Sequence, residues 1–115
     1  MIQGLHHVAL ICSGEKSIAF YEKLGFRVTQ RQDRGYDLLV MMEGPCTLEL
    51  FIDPTHPPRV DRPEAMGLRH LALKVDSVEE TLRELAIEGE PIREKDGKHF
   101  TFFKDPDGLP IELHE

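Results

Sequence analysis

The sequence predicts an α+β fold made of two tandem β-α-β-β-β modules, and three observations predict it. Gly4-Leu5-His6-His7-Val8-Ala9-Leu10 returns 63 positions later as Gly67-Leu68-Arg69-His70-Leu71-Ala72-Leu73, with five of the seven residues identical. Leu48-Glu49-Leu50 returns at the same interval as Ile111-Glu112-Leu113. Within each half, one helical period is followed by three short strand-like runs, and self-similarity at so long a period marks a repeated supersecondary unit. Module one covers residues 1–53, a linker 54–66 and module two 67–115, together expected to form a single domain.

Leu5 to Ile11 alternates so that His7, Ala9 and Ile11 share one face and His6, Val8 and Leu10 the other, as a strand requires. Ser13-Gly14 breaks it. Ile18, Tyr21 and Leu24, with Phe20 beside them, recur at helical spacing, and Gly25 stands where a terminating glycine belongs, predicting a helix over 14–24. Strands are expected over Phe26–Gln32, Tyr36–Met42 and Cys46–Ile52, separated by the turn formers Asp33-Arg34-Gly35 and Glu43-Gly44-Pro45. Pro54, Pro57, Pro58 and Pro63 then favour an extended linker.

Module two opens with a strand over Leu68–Val75, and Ser77-Val78-Glu79-Glu80 is a capping-box pattern that announces a helix with Val78, Thr81, Leu82 and Leu85 as its apolar stripe. Gly89 is expected to end that helix as Gly25 ends the first. Strands over Glu90–Glu94, His99–Lys104 and Leu109–His114 complete the module, with Asp105-Pro106-Asp107-Gly108 as the turn before the last.

A chain of 115 residues buries roughly two-thirds of the surface its unfolded form exposes, enough for a real core. No apolar run approaches the ~20 residues that span a bilayer, and no basic-then-apolar leader opens the chain, so a cytoplasmic protein without membrane partners is expected. A net charge of −7 with no Lys/Arg face argues against nucleic-acid binding. Cys12 and Cys46 are too few for a disulfide framework, and each sits in an apolar run where a thiol packs as a small hydrophobe.

The repeat also selects chemistry. It registers His7 with His70 and Glu49 with Glu112, the imidazole and the carboxylate that recur on strand-like runs in both modules. A lone strand histidine is more often structural than a ligand, but each Glu here is flanked by apolar residues and so points away from its strand's apolar face. An enclosed carboxylate there needs a cation or a proton to compensate it. Two imidazoles and two carboxylates balance one divalent ion, suit Zn, Ni, Co, Fe or Mn, and leave two positions open on an octahedral ion for a small-molecule substrate. His6 has the opposite parity and matches Arg69, so it should face away; His56 lies in the linker, His114 shares Glu112's face, and His99 is read as a solvated strand-edge residue. Phe100, Phe102 and Phe103 are assigned to the core, with room for one of them to line a pocket.

The module order, the opening Leu-x-His-Val/Leu-Ala-Leu phrase, the Asp105-Pro106-Asp107-Gly108 turn and the closing Ile111-Glu112-Leu113 resemble the vicinal oxygen chelate superfamily over the whole chain. The resemblance implies modules whose first and last strands lie side by side, curling into a cupped mixed sheet around a metal held by His7, Glu49, His70 and Glu112. A full His/Glu/His/Glu set is similar to bacterial glyoxalase I, the lactoylglutathione lyase. It implies a metal-dependent lyase or isomerase in which two oxygens of a hemithioacetal of methylglyoxal chelate the ion, Glu112 acts as base and Glu49 is its counterpart. Glutathione-using members commonly carry an Arg four residues after the first ligand, where this chain has Ile11. The superfamily also holds extradiol dioxygenases, epimerases and drug-sequestering resistance proteins, and it implies a homodimer whose linker lets module two reach either chain.

Overall fold

A computed structural model describes residues 1–115 and divides the chain into two units, Met1–Pro57 and Pro58–Glu115. The boundary falls inside the Pro-rich linker. Each unit is a four-stranded mixed sheet with one helix, in the expected order. Unit one contains β1 (Val8–Cys12), α1 (Lys16–Lys23), β2 (Arg27–Asp33), β3 (Leu38–Glu43) and β4 (Thr47–Ile52), with β5 (Leu71–Lys74), α2 (Val78–Leu85), β6 (Arg93–Lys95), β7 (Lys98–Lys104) and β8 (Pro110–His114) in unit two. The strand orders are β1-β4-β3-β2 and β5-β8-β7-β6. No helix is long and apolar enough to cross a membrane.

In both units the first strand runs parallel to the last, with Val8 opposite Leu48 and Leu71 opposite Ile111, so the two ladders share one register. The other pairs are antiparallel. Alternation gives each sheet an apolar face and an open face. Leu48, Leu50 and Ile52 of β4 are buried, as are Val40 and Met42 of β3 and Ile18 and Tyr21 of α1. In unit two Ile111 and Leu113 are buried with Thr101, Phe103 and Val78. Cys12 is buried and Cys46 half-buried, both as free thiols, and burial raises the pKa of the Cys46 thiol.

Several boundaries move for identifiable reasons. The ladders begin at Val8 and Leu71, three residues later than the alternation suggested, because the partner strands supply no rung before Leu48 and Ile111. Gly25 follows α1 at φ 103°, the left-handed conformation expected of it. Gly89 does not end α2. The helix stops at Leu85, with Ala86 itself turning left-handed at φ 52°. Gly89 has a different task, since a Cβ there would stand 3.0 Å from Thr101 Oγ1. Ser77 caps α2 as predicted by accepting a bond from Glu80 N at 3.2 Å. The strand expected from Glu90 starts only at Arg93: Glu90 N donates to Phe102 O, but Pro91 has no N–H with which to continue the ladder.

Candidate metal centre

His7 stands one residue before β1 and His70 one before β5, at repeat-equivalent places. In unit one, His7 Nε2 lies 2.5 Å from Glu49 Oε2. In unit two, His70 Nε2 lies 3.0 Å from Glu112 Oε1. Both carboxylates project from the centre of the last strand on the open face, opposite Ala9 and Ala72, whose methyl side chains leave room above the sheet. The four side chains are only partly covered, at 37% and 17% exposure in the first pair and 25% and 12% in the second. Each pair therefore offers one imidazole nitrogen and one carboxylate to the same volume. That donor chemistry, an imidazole nitrogen beside a carboxylate oxygen, fits a divalent ion.

The residues behind the imidazoles differ. His6, expected to face away, stands behind the His7 ring, with its Nδ1 2.9 Å from His7 Nδ1 and the rings edge to face, while His7 Nε2 meets Glu49 on the other side. In unit two Arg69 holds the matching place, with Nη1 3.2 Å from His70 Nδ1. A guanidinium can only donate, so in this arrangement His70 Nδ1 is the acceptor and Nε2–H faces Glu112. For Nε2 to ligate, the proton must move to Nδ1 and Arg69 must give up that contact.

The open-face walls differ as well. Glu49 faces Met41 across the β3–β4 ladder. Nearby, Arg34 lies 4.9 Å from the Phe51 ring centre but is clamped by Asp37 through two 2.6 Å bonds, which raise the Arg34 pKa and lower that of Asp37. Glu112 faces Phe102, whose ring meets His70 edge to face at 5.1 Å, and Phe100 stacks on His114 at 5.6 Å. Of the three Phe residues assigned to the core, only Phe103 is buried; Phe100 and Phe102 form the wall beside the His70–Glu112 pair.

His56 is structural, since its Nδ1 binds Cys12 O at 3.1 Å. His99, read as solvated, instead joins Glu79 at 2.6 Å with Glu115 at 3.9 Å. That second His/Glu/Glu group has a satisfied purpose, because the Glu115 carboxylate already accepts from Val78 N and His99 N, ties the chain end to α2 and β7, and has its pKa lowered by those bonds.

A family model described as the Glyoxalase/Bleomycin resistance protein/Dioxygenase superfamily matches residues 4–113. The Bacillus subtilis protein YwkD is 51% identical, with 100% of this chain and 98% of that one covered. The crystal structure of a glyoxalase family protein from Enterococcus faecalis superposes with a TM-score of 0.89 at 47% identity over 98% of each chain. A mutant of the fosfomycin resistance protein FosX of Listeria monocytogenes, solved with Mn(II) and a dihydroxypropylphosphonic acid, shares the fold with a TM-score of 0.73 at 22% identity, over 99% of this chain and 93% of its own.

Proposed function

The chain belongs to the Glyoxalase/Bleomycin resistance protein/Dioxygenase superfamily, and from that premise we propose that it is a metal-dependent lyase or isomerase of the glyoxalase type, moving a proton on a small substrate with two vicinal oxygens. The observation that carries the reading is the recurrence of one His–Glu pair, in one register, in both modules. His7, Glu49, His70 and Glu112 are its ligands to a single divalent ion, with Zn, Ni, Co, Fe and Mn as candidates; Mn(II) accompanies the same fold in FosX. The ion supplies Lewis-acid polarisation of the two oxygens.

The chain's own residues do the rest. Glu112 takes the C–H proton from the carbon that bears the first oxygen and returns it to the neighbouring carbon, the hydroxyl proton of the first oxygen passing to the second, while Glu49 serves as its counterpart ligand. Phe102 limits water on the base's side and fixes the His70 ring through their edge contact. Arg69 retires from Nδ1 so that His70 presents Nε2 as a neutral ligand. Ile11 lies exposed on the open face, and the Arg34 guanidinium over its ladder partner Phe51 is already clamped by Asp37, so a glutathione carboxylate would find no free cation there and a smaller thiol adduct of methylglyoxal suits the site better.

Protein purified without chelator should contain close to one divalent ion per complete site. Replacing His70 with Ala should abolish stoichiometric uptake, and full occupancy in that variant would sink the ligand assignment. A homodimer is the proposed assembly. Mixing His7→Ala with His70→Ala protein and co-refolding decides whether ligands are exchanged, because uptake returns only if chains share sites. A lone 13.2 kDa species in light scattering ends the dimer proposal.

A further inference from the structure

Unit two holds a cavity of about 360 Å³ whose lining includes Arg69, Arg93 and Lys104 against one carboxylate, Glu90, with Phe100 and Phe102 between them. Three cations to one anion is a local excess in a chain whose net charge is −7. Two of the cations are already engaged, Arg69 with Glu64 at 3.1 Å and Lys104 with Asp61 at 3.6 Å, in exposed pairs of small energetic weight. Arg93 has no carboxylate partner. Its guanidinium lies 5.1 Å from the Phe100 ring centre and 5.5 Å from that of Phe102, held by cation–π attraction with its donors left over. The His70 ring centre is 5.1 Å from the same Phe102 ring, so a single aromatic side chain separates Arg93 from the ligand pair.

We propose that this wall is an oxyanion subsite, with Arg93 as its binding group and the two phenyl rings as its floor, and that the substrate carries a terminal carboxylate or similar oxyanion on a short apolar spacer beyond its vicinal oxygens. The inference rests on the proposed function for the position of the oxygens. The guanidinium fork suits an oxyanion with two acceptor atoms, and the flat floor accommodates the spacer. Unit one lacks the equivalent. There β3 presents Leu39 and Met41, paired with Gln32 and Gln30 of β2, and the nearby Arg34 is neutralised by Asp37. The charged end is therefore assigned to unit two.

Calorimetry on Mn(II)-loaded protein with two chelating probes tests it. Acetohydroxamate carries the vicinal oxygens alone, and succinohydroxamate adds a carboxylate on a two-carbon spacer. Succinohydroxamate should bind about tenfold or more tightly than acetohydroxamate, as expected for a hydrogen-bonded charge pair, with the advantage shrinking in high salt. Arg93→Gln should erase that advantage and leave acetohydroxamate affinity unchanged. Equal affinities in the parent protein, or an advantage that survives Arg93→Gln, would overturn the subsite. If neither hydroxamate binds, the ligand reading fails, and metal-free protein titrated with glutarate still decides the wall: NMR shifts centred on Arg93, Phe100 and Phe102 uphold it, and their absence refutes it.

Discussion

The two modules share a frame and differ in what fills it. Their parallel ladders keep one register, and each carries the same His–Glu pair. Module one buries ten apolar side chains, from Leu10 to Ile52, whereas module two buries four, so the first is the deeper core. Beside its Glu, module one presents Met41 and a neutralised arginine; module two presents Phe102, Phe100 and a guanidinium with no anion. Part of the difference comes from one turn. Gly44-Pro45-Cys46 joins β3 to β4, but five residues, Asp105 to Leu109, join β7 to β8. Asp105 organises the longer turn by accepting from Asp107 N and Leu109 N. The extra two residues set Phe102 opposite Glu112, where strict repetition of Met41 would put Lys104. A duplicated backbone thus repeats the His–Glu geometry while the open face is free to specialise.

The sharpest way to break this comparison is to treat the two carboxylates alike. Glu112→Gln should lower turnover of methylglyoxal thiol adducts by about 10²–10⁴-fold, the usual worth of a general base. Glu49→Gln should act chiefly through metal loss, recoverable with excess ion. Equal losses that excess metal cannot restore in either variant would remove the functional asymmetry.

The core contrast yields a stability test. Leu50→Ala and Leu113→Ala both empty buried sites and should each cost about 2–5 kcal/mol in denaturant unfolding. Leu50, in the deeper core, belongs at the upper end. A costlier Leu113→Ala would reverse the ranking of the cores. Gly89→Ala should cost about 1–3 kcal/mol, because its methyl crowds Thr101 Oγ1, which holds Glu90 O at 2.6 Å. Little change in melting temperature would show that the β6–β7 edge yields freely.

The smallest effect expected is on the acid limb of stability. Backbone donors hold the Glu115 carboxyl below its ordinary 4.5. Its contribution is therefore present above pH 4.5 and fades as pH falls through the lower native value. Glu115→Gln should flatten that part of the profile in module two, leaving the similar contribution of Asp37 in module one. An unchanged acid limb would show that the chain end is not tied down in solution.

Much of this was legible in the sequence because the repeat exposed it. Equivalent residues 63 apart picked out the two His–Glu pairs that the fold brings together, while the side-by-side placing of first and last strands was implied by the family resemblance and not by the repeat. Gly25 was legible because its left-handed turn is a local property of a helix end. Gly89 was misread because its reason is a neighbour twelve residues away, Thr101, and sequence period cannot reveal a missing Cβ required by a partner strand. Alternation told which side His6 takes but not that it packs behind the His7 ring, a contact between neighbouring side chains that only the fold shows. The Arg93 subsite left a faint trace, alternating Phe100 and Phe102, but the hairpin register that lays Arg93 over them appears only in the fold.

The parallel first-to-last pairing also has a mechanical consequence. In each module the entering strand and the leaving strand are hydrogen-bonded neighbours pointing the same way, so tension applied at the module's two ends slides them past each other lengthwise. All the rungs of that ladder then share the load, instead of opening one after another as in a hairpin pulled from its open end. Module one carries five such rungs, Val8 to Cys12, and module two four, Leu71 to Lys74. Stretched as a single molecule, the protein should therefore resist as a pair of shear clamps of unequal strength, with the second module yielding first.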